Sequence, residues 1–192
     1  MQARYATRCA ACPQRIEPGD AIVRSTDGSA WVHEACAGAG GPSTALPDPL
    51  VPVGTTEVFT DGACRGNPGP GGWAWAVPDG PQDCGHDPAT TNQRMEVRAA
   101  YEAIRSLPGT LVVVSDSTYV VNCFKNAWWT GWRTRGWVNS ARKPVANRDL
   151  WEPLIDLVEE RGDVTFRWVK GHSGHPMNDL VDLLAVEASH HP

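Results

Sequence analysis

Val58-Phe-Thr-Asp61-Gly-Ala-Cys-Arg-Gly-Asn67-Pro-Gly-Pro-Gly-Gly72 is the stretch on which the fold turns. Residues 55–59 carry the β-branched and aromatic side chains of a strand, and the Gly and Pro residues after Asp61 predict a sharp turn. The reading places one carboxylate at a strand end, held by that turn. A carboxylate so placed does little for stability and suits a hard cation such as Mg²⁺, provided that partners arrive from elsewhere in the chain.

Outward from that stretch, strands and helices mix. Residues 72–78 read as a second strand and Asp79-Gly80 as a turn, and a short polar third strand is expected before Thr90, with Pro81 against its pairing. Asn92 to Leu107 predicts a helix with Met95, Ala99, Ala103 and Leu107 on one side. Residues 110–114 are a continuous apolar run, as in a strand covered on both faces. One or two short helices are expected within 117–132, an amphipathic helix over 148–161, a strand over 164–169 and a last helix over 176–188. This order implies an α/β fold: a mixed sheet of three antiparallel strands followed by parallel ones, flanked by helices.

Three further acids fall where such elements would present them beside Asp61. Glu96 lies near the start of its helix, Asp116 ends the apolar strand, and Asp182 lies on the last helix, with Asp179 one turn earlier as its competitor. Neighbouring parallel strands bring their C-terminal ends to one edge, so Asp61 and Asp116 can meet there. Each acid alone also has an ordinary reading, as a helix-dipole partner, a turn cap or a solvated side chain. Together, four acids at element ends need cations to offset their repulsion, and a pair of Mg²⁺ ions is the natural answer.

The 192 residues, 41% apolar and 20% charged, suit one ordinary globular domain plus something small. No run approaches the roughly 18 apolar residues of a membrane span, and Met1-Gln-Ala-Arg-Tyr-Ala-Thr-Arg8 lacks the apolar segment of a secretory signal. A cytoplasmic protein without membrane contact is expected, which favours metal ligands or buried thiols over disulfides for the six cysteines. Cys64, Cys84 and Cys123 read as thiols without a catalytic role, the latter two as buried ones. Net charge is −5, which argues against a generally basic nucleic-acid binder. Yet no Asp or Glu lies between Asp116 and Asp149, where Lys125, Arg133, Arg135, Arg142, Lys143 and Arg148 alternate with Trp128, Trp129, Trp132 and Trp137. Local charge decides where a phosphate backbone settles.

Cys9-Ala-Ala-Cys12 and His33-Glu-Ala-Cys36 supply three thiolates and an imidazole, the donor set of a structural Zn²⁺ site. Residues 1–37 therefore read as a zinc module, which resembles small treble-clef or ribbon modules; a segment this short builds no stable core unaided. Residues 38–54, rich in Gly and Pro, read as a linker, and residues 55–192 as a second domain.

Phe59-Thr-Asp-Gly-Ala-Cys-Arg-Gly-Asn-Pro, Thr91-Asn-Gln-Arg-Met-Glu96, Ser115-Asp-Ser-Thr-Tyr119, Arg142-Lys-Pro-Val-Ala-Asn-Arg-Asp-Leu-Trp151 and Val169-Lys-Gly-His-Ser-Gly-His-Pro-Met-Asn178, in this order, closely resemble type 1 ribonuclease H. The resemblance spans about residues 55–188 and implies the ribonuclease H fold and an endonuclease that cuts the RNA strand of an RNA–DNA hybrid. It implies Asp61, Glu96, Asp116 and Asp182 as ligands of two Mg²⁺ or Mn²⁺ ions, with Asp61 central; counting along the motif selects Asp182 over Asp179. It implies His172 as the residue that assists proton transfer or product departure, and leaves His175 structural. Two ions about 4 Å apart would activate a water and stabilise the departing 3′-oxygen, leaving 5′-phosphate and 3′-hydroxyl ends.

Gly62, Asn67, Asn92 and Gln93 are placed to read the 2′-hydroxyl or base edges, and Thr91 and Asn147 correspond to a DNA-phosphate pocket. The basic island corresponds to the family's DNA-holding handle, with Arg133, Arg135, Arg142 and Lys143 on phosphates and Trp128 and Trp132 lining the groove; for Trp128, Trp129 and Trp137 a place in the core is an equal reading. Ala89 stands where many relatives carry an Arg. The zinc module would aid nucleic-acid or protein-partner binding or serve stability, and the protein is expected to be a monomer. The alternatives are a non-catalytic hybrid-binding protein and a transposase- or integrase-like nuclease of the same broad fold.

Overall fold

The computed structural model describes residues 7–9, 15–16, 18–24, 31–34 and 54–190. The chain divides into two compact units, Met1–Leu50 and Val51–Pro192. In the first, β1 (Thr7–Arg8) pairs antiparallel with β2 (Arg15–Ile16), and β3 (Ile22–Arg24) with β4 (Trp31–His33). Cys9, Ile16, Ile22 and Val32 form a small buried cluster. The backbone N–H of His33 donates to Cys9 Sγ at 3.4 Å, and His33 Nε2 lies 3.5 Å from Asp20 Oδ2. Cys12 and Cys36, the other two expected zinc ligands, and most of the expected linker lie outside the described residues.

The second unit runs β5 (Thr56–Cys64), β6 (Gly69–Ala76), β7 (Gln82–Thr90), α1 (Asn92–Ser106), β8 (Leu111–Ser115), α2 (Thr118–Lys125), α3 (Trp128–Thr134), α4 (Arg148–Arg161), β9 (Val164–Trp168) and α5 (Pro176–Ala188). Its sheet has the order β7-β6-β5-β8-β9, antiparallel among the first three strands and parallel from β5 to β9. The mixed α/β sheet read from the sequence is present. Local chemistry sets the helix limits: the Thr91 hydroxyl accepts from Arg94 N at 3.4 Å to open α1, and Gly162, at φ 66°, closes α4 in the left-handed conformation.

Alternation along the strands divides the core in two. Val58, Leu111 and Val113 face α1 and α4, packing with Val97, Ala100, Ile104, Trp151, Leu154 and Ile155. Phe59, Val112 and Val114 face the other way, against Val181 of α5. Strand β8 is thus covered on both faces, as its unbroken apolar run requires.

Four expectations are corrected. Strand β5 does not stop at Asp61; it continues to Cys64, with Asp61 opposite Ala74, because the glycines of β6 extend the ladder and move the turn to residues 65–68. The third strand is nine residues long despite Pro81, which lies just outside it; as the sheet edge it is largely exposed, and Cys84 is exposed with it. Trp132 does not line a groove: it is buried with Trp137 and meets the Trp151 ring edge-on at 5.6 Å. Cys123 is buried as expected, and its desolvated thiol is pushed up to about 12.

Glycine at position 72 permits the close seating of α5 on β6. A β-carbon there would stand 2.2 Å from the Ala185 carbonyl oxygen and 2.6 Å from Ser189 N, both backbone atoms. Gly72→Ala is therefore expected to lift α5 and destabilise the protein by roughly 1–3 kcal/mol. Urea unfolding of the two proteins measures it; an unchanged midpoint would show that α5 is not seated this tightly.

Candidate active site

The parallel pairing of β5 with β8 matches Phe59 to Val114. Counted two residues further along each strand, Asp61 and Asp116 come to the same level, Asp116 just beyond the end of β8. Phe59 and Asp61 share a face of β5, and that face packs on α5, where buried Val181 precedes Asp182. Glu96 approaches from the first turns of α1, which can lie against β5 because position 62 has no side chain: a β-carbon on Gly62 would be 2.3 Å from Glu96 N. One pocket is consequently lined by Asp61, Glu96, Asp116, Asp182 and His172, together with Gly62, Ala63, Cys64 and Asn92. Of the two helix acids, Asp182 lines this pocket, and Asp179 is exposed and outside the lining.

Asp61 is only 9% exposed. Its burial, reinforced by the charge of Asp116 and then by Asp182 and Glu96, pushes its carboxyl up to about 8, against the Gly62 N–H that donates to Oδ1 at 2.7 Å. Burial also raises Glu96, which two donors hold in place: the Ser117 hydroxyl on Oε2 at 2.5 Å and Asn92 Nδ2 on Oε1 at 3.0 Å. Asp116 accepts from Asn178 Nδ2 at 3.2 Å, and its backbone carbonyl accepts from Trp168 Nε1 at 3.0 Å. Among the described residues no three acidic, Cys or His side chains close around a single point, although the four acids line the same pocket. Ser117 and Asn178 escaped the sequence reading. The available signal was position, Ser117 directly after Asp116 and Asn178 one turn before Asp182.

A sequence model of the RNase H family matches residues 54–190. The chain belongs to the ribonuclease H family. It is 50% identical over 138 residues to ribonuclease H of Erythrobacter litoralis, covering 69% of this chain and 94% of the relative. Ribonuclease HI of Caulobacter vibrioides is 47% identical over 135 residues, 68% of this chain and 89% of its own. Among solved structures, LC9-RNase H1, described as a type 1 RNase H with the type 2 active-site motif, superposes with a TM-score of 0.60 at 32% identity, over 73% of this chain and 74% of that one. The foamy viral protease-reverse transcriptase, solved with dsDNA, shares the fold at a TM-score of 0.64 and 23% identity, over 73% of this chain and 98% of that one. These likenesses make the protein a hydrolase of the ribonuclease H class, type 1.

The other residues singled out in this ribonuclease H separate into three groups. Near the pocket, Asn67 Oδ1 accepts from Asn92 N at 3.3 Å, tying the β5–β6 turn to the start of α1, and Gln93 is exposed beside it. His172 is exposed on the loop before α5 with φ 48°, its Nδ1 3.9 Å from Asp182 Oδ2. His175 is half-buried, its ring 4.9 Å from that of Phe59, which suits the structural role expected of it.

Next, Thr91 and Asn147 precede α1 and α4, whose first turns are clamped together by Arg94, donating to Asp149 at 2.9 and 2.6 Å. The Arg94 bond holds the Asp149 carboxyl below its usual range. Asn147 adopts φ 60°, and its side chain hydrogen-bonds Tyr119. Finally, in the basic island, Trp128, Arg135, Arg142 and Lys143 are exposed. Arg133 is instead committed to Asp156 and Glu159 of α4, with its guanidinium over Trp129.

The buried acid predicts a pH dependence of the ribonuclease H fold itself. Asp61 keeps its proton when folded up to about pH 8 and loses it near 3.8 when unfolded. Its contribution to stability is therefore full below the unfolded value and disappears as pH rises through the folded one. In EDTA, the melting temperature should fall between about pH 4 and pH 8, and Asp61→Asn should be the more stable protein at pH 8, on the order of 5 °C higher. Parallel melting curves for the two proteins across that range would contradict it.

Proposed function

We propose that residues 55–192 hydrolyse the RNA strand of RNA–DNA hybrids, leaving 5′-phosphate and 3′-hydroxyl ends. The observation that carries this reading is the assembly of Asp61, Glu96, Asp116 and Asp182 in one pocket at the C-terminal edge of β5 and β8. Buried acids whose charges oppose one another suit divalent cations, so the four would hold Mg²⁺ or Mn²⁺ between them, with Asp61, the most buried, at the centre. When bound, these ions supply an acidified water and offset charge at the departing oxygen.

The chain's own groups do the rest. Asn178 and Trp168 keep Asp116 at the strand end, and the Gly62 N–H orients Asp61. His172, exposed at the pocket mouth, is free to exchange protons with solvent and deliver one to the leaving group. The linked series Asn67, Asn92 and Glu96 runs from the β5–β6 turn into the pocket, where hydrogen bonds to a 2′-hydroxyl distinguish RNA from DNA. Arg135, Arg142 and Lys143, together with Trp128, are the exposed groups of the basic island suited to the DNA strand, and their contacts would be with phosphates, hence independent of sequence. Thr91 and Asn147, drawn together by the Arg94–Asp149 pair, suit a further phosphate of that strand.

Incubating end-labelled RNA–DNA hybrid, duplex RNA and duplex DNA with the protein and Mg²⁺ tests this directly. Hybrid RNA alone should be cut, and Asp116→Asn should reduce the rate by at least about 1000-fold. Cleavage of all three duplexes alike, or a fully active Asp116→Asn protein, would sink the mechanism.

For the first unit we infer a Zn²⁺ held by Cys9, Cys12, His33 and Cys36, which would aid the binding of nucleic acid or of a protein partner or serve stability alone. The supporting observation is that folding of two small hairpins buries Cys9 and brings the His33 backbone N–H to its sulfur. Elemental analysis of protein purified without chelator should find about one zinc per chain, lost on Cys9→Ser. A zinc content indifferent to that substitution would remove the assignment.

A further inference from the structure

We propose that Ser117 is a positioning residue for Glu96, fixing the carboxylate of α1 against the segment that carries Asp116. The inference rests on the reading of these acids as cation ligands. Ser117 is 6% exposed and follows Asp116 directly. Its hydroxyl meets two groups: Val120 N donates to it at 3.3 Å, capping α2, and it donates to Glu96 Oε2. A hydroxyl has one proton, and with the Val120 N–H occupying an acceptor position that proton is aimed at the carboxylate. The backbone beneath it is held as well, because Ser117 N donates to Ser115 Oγ at 3.1 Å.

Glu96 is long, and a glutamate carboxylate on a helix has several rotamers to choose among. Here each of its oxygens meets a donor, Ser117 Oγ on Oε2 and Asn92 Nδ2 on Oε1. Asn92 is one turn from Glu96 on the same helix, whereas Ser117 belongs to the β8–α2 junction, 21 residues away. The Asn92 contact therefore orients Glu96 within α1, and the Ser117 contact sets its distance from Asp116. An acidic pocket in which each carboxylate otherwise repels the next gains from such a tie, since a donor from the neighbouring element draws Glu96 toward charges it would otherwise avoid.

Titration of Mg²⁺ into the full chain by calorimetry, with melting curves in EDTA and in Mg²⁺, tests the assignment on the unmodified protein, Ser117→Ala and Ser117→Thr. Ser117→Ala should bind Mg²⁺ roughly 10-fold more weakly, and its Mg²⁺-induced rise in melting temperature should shrink, while Ser117→Thr, which keeps the hydroxyl, should recover most of the affinity. Loss of the α2 cap alone lowers the melting temperature equally in EDTA and in Mg²⁺, so a parallel drop with unchanged affinity overturns the proposal. Absence of Mg²⁺ binding by the unmodified chain overturns the cation reading, and this inference with it; equal affinity in Ser117→Ala overturns this inference alone.

Discussion

The burial of Asp61 in one pocket with Glu96, Asp116 and Asp182 is the constraint that the second unit is built around. A buried carboxylate beside three others opposes folding, so the scaffold that holds it must be stiff for other reasons. That stiffness comes from β8, covered on both faces, and from the two apolar clusters that clamp α1, α4 and α5 onto the sheet. The acids then sit where the clusters end. Asp61 continues the face of Phe59, Asp116 continues β8, and Asp182 follows Val181 on α5. Each charged side chain is the next step of an element anchored by apolar neighbours.

Glycine takes a different part in this arrangement from the one its sequence context suggests. The run of Gly and Pro residues after Asp61 reads as a sharp turn. In the structure much of the run is strand, and Gly62 and Gly72 are the points where α1 and α5 touch the sheet. Close helix approach is what brings Glu96 and Asp182 to Asp61. The turn proper is confined to residues 65–68, and it is there that Asn67 links to Asn92.

Element order, most helix limits and the pocket acids were legible because each rests on a local signal: the 3.6-residue periodicity of α4, the apolar run of β8, the spacing of motifs around each acid. What stayed hidden depends on pairing between distant segments. The extent of β5 is decided by β6, whose Gly and Pro content argues against a strand until the ladder is seen. Trp132 lies on a helix of seven residues, too short for periodicity to show which tryptophan turns inward; the side chain that buries it, Trp151, lies in another helix. Arg133 counts as basic surface in the sequence, but Asp156 and Glu159 on α4 take up its charge. Cys84 is exposed because β7 is the edge strand, which follows from sheet order and from nothing in its own neighbourhood. Ser117 and Asn178 are ordinary polar residues until Glu96 and Asp116 come to meet them.

The same burial that makes the pocket costly gives it a defined response to charge. Asp61 holds a proton up to about pH 8 in the metal-free protein, and the first cause is its desolvation, ahead of any single neighbouring acid. Supporting donors act against that tendency unevenly: Glu96 receives side-chain bonds from Ser117 and Asn92, while Asp61 receives the Gly62 N–H from its own backbone. Among the described residues, no side chain of another element thus donates to Asp61 to offset its burial. Under the proposed chemistry, that is the place where a divalent cation gains most, because its charge replaces both the missing donors and the retained proton. A pocket with Asp61 fully satisfied by protein donors would fold more readily and bind cations less well; the glycine at position 62, which admits α1 against β5, instead brings Glu96 into the pocket of an acid that lacks side-chain donors.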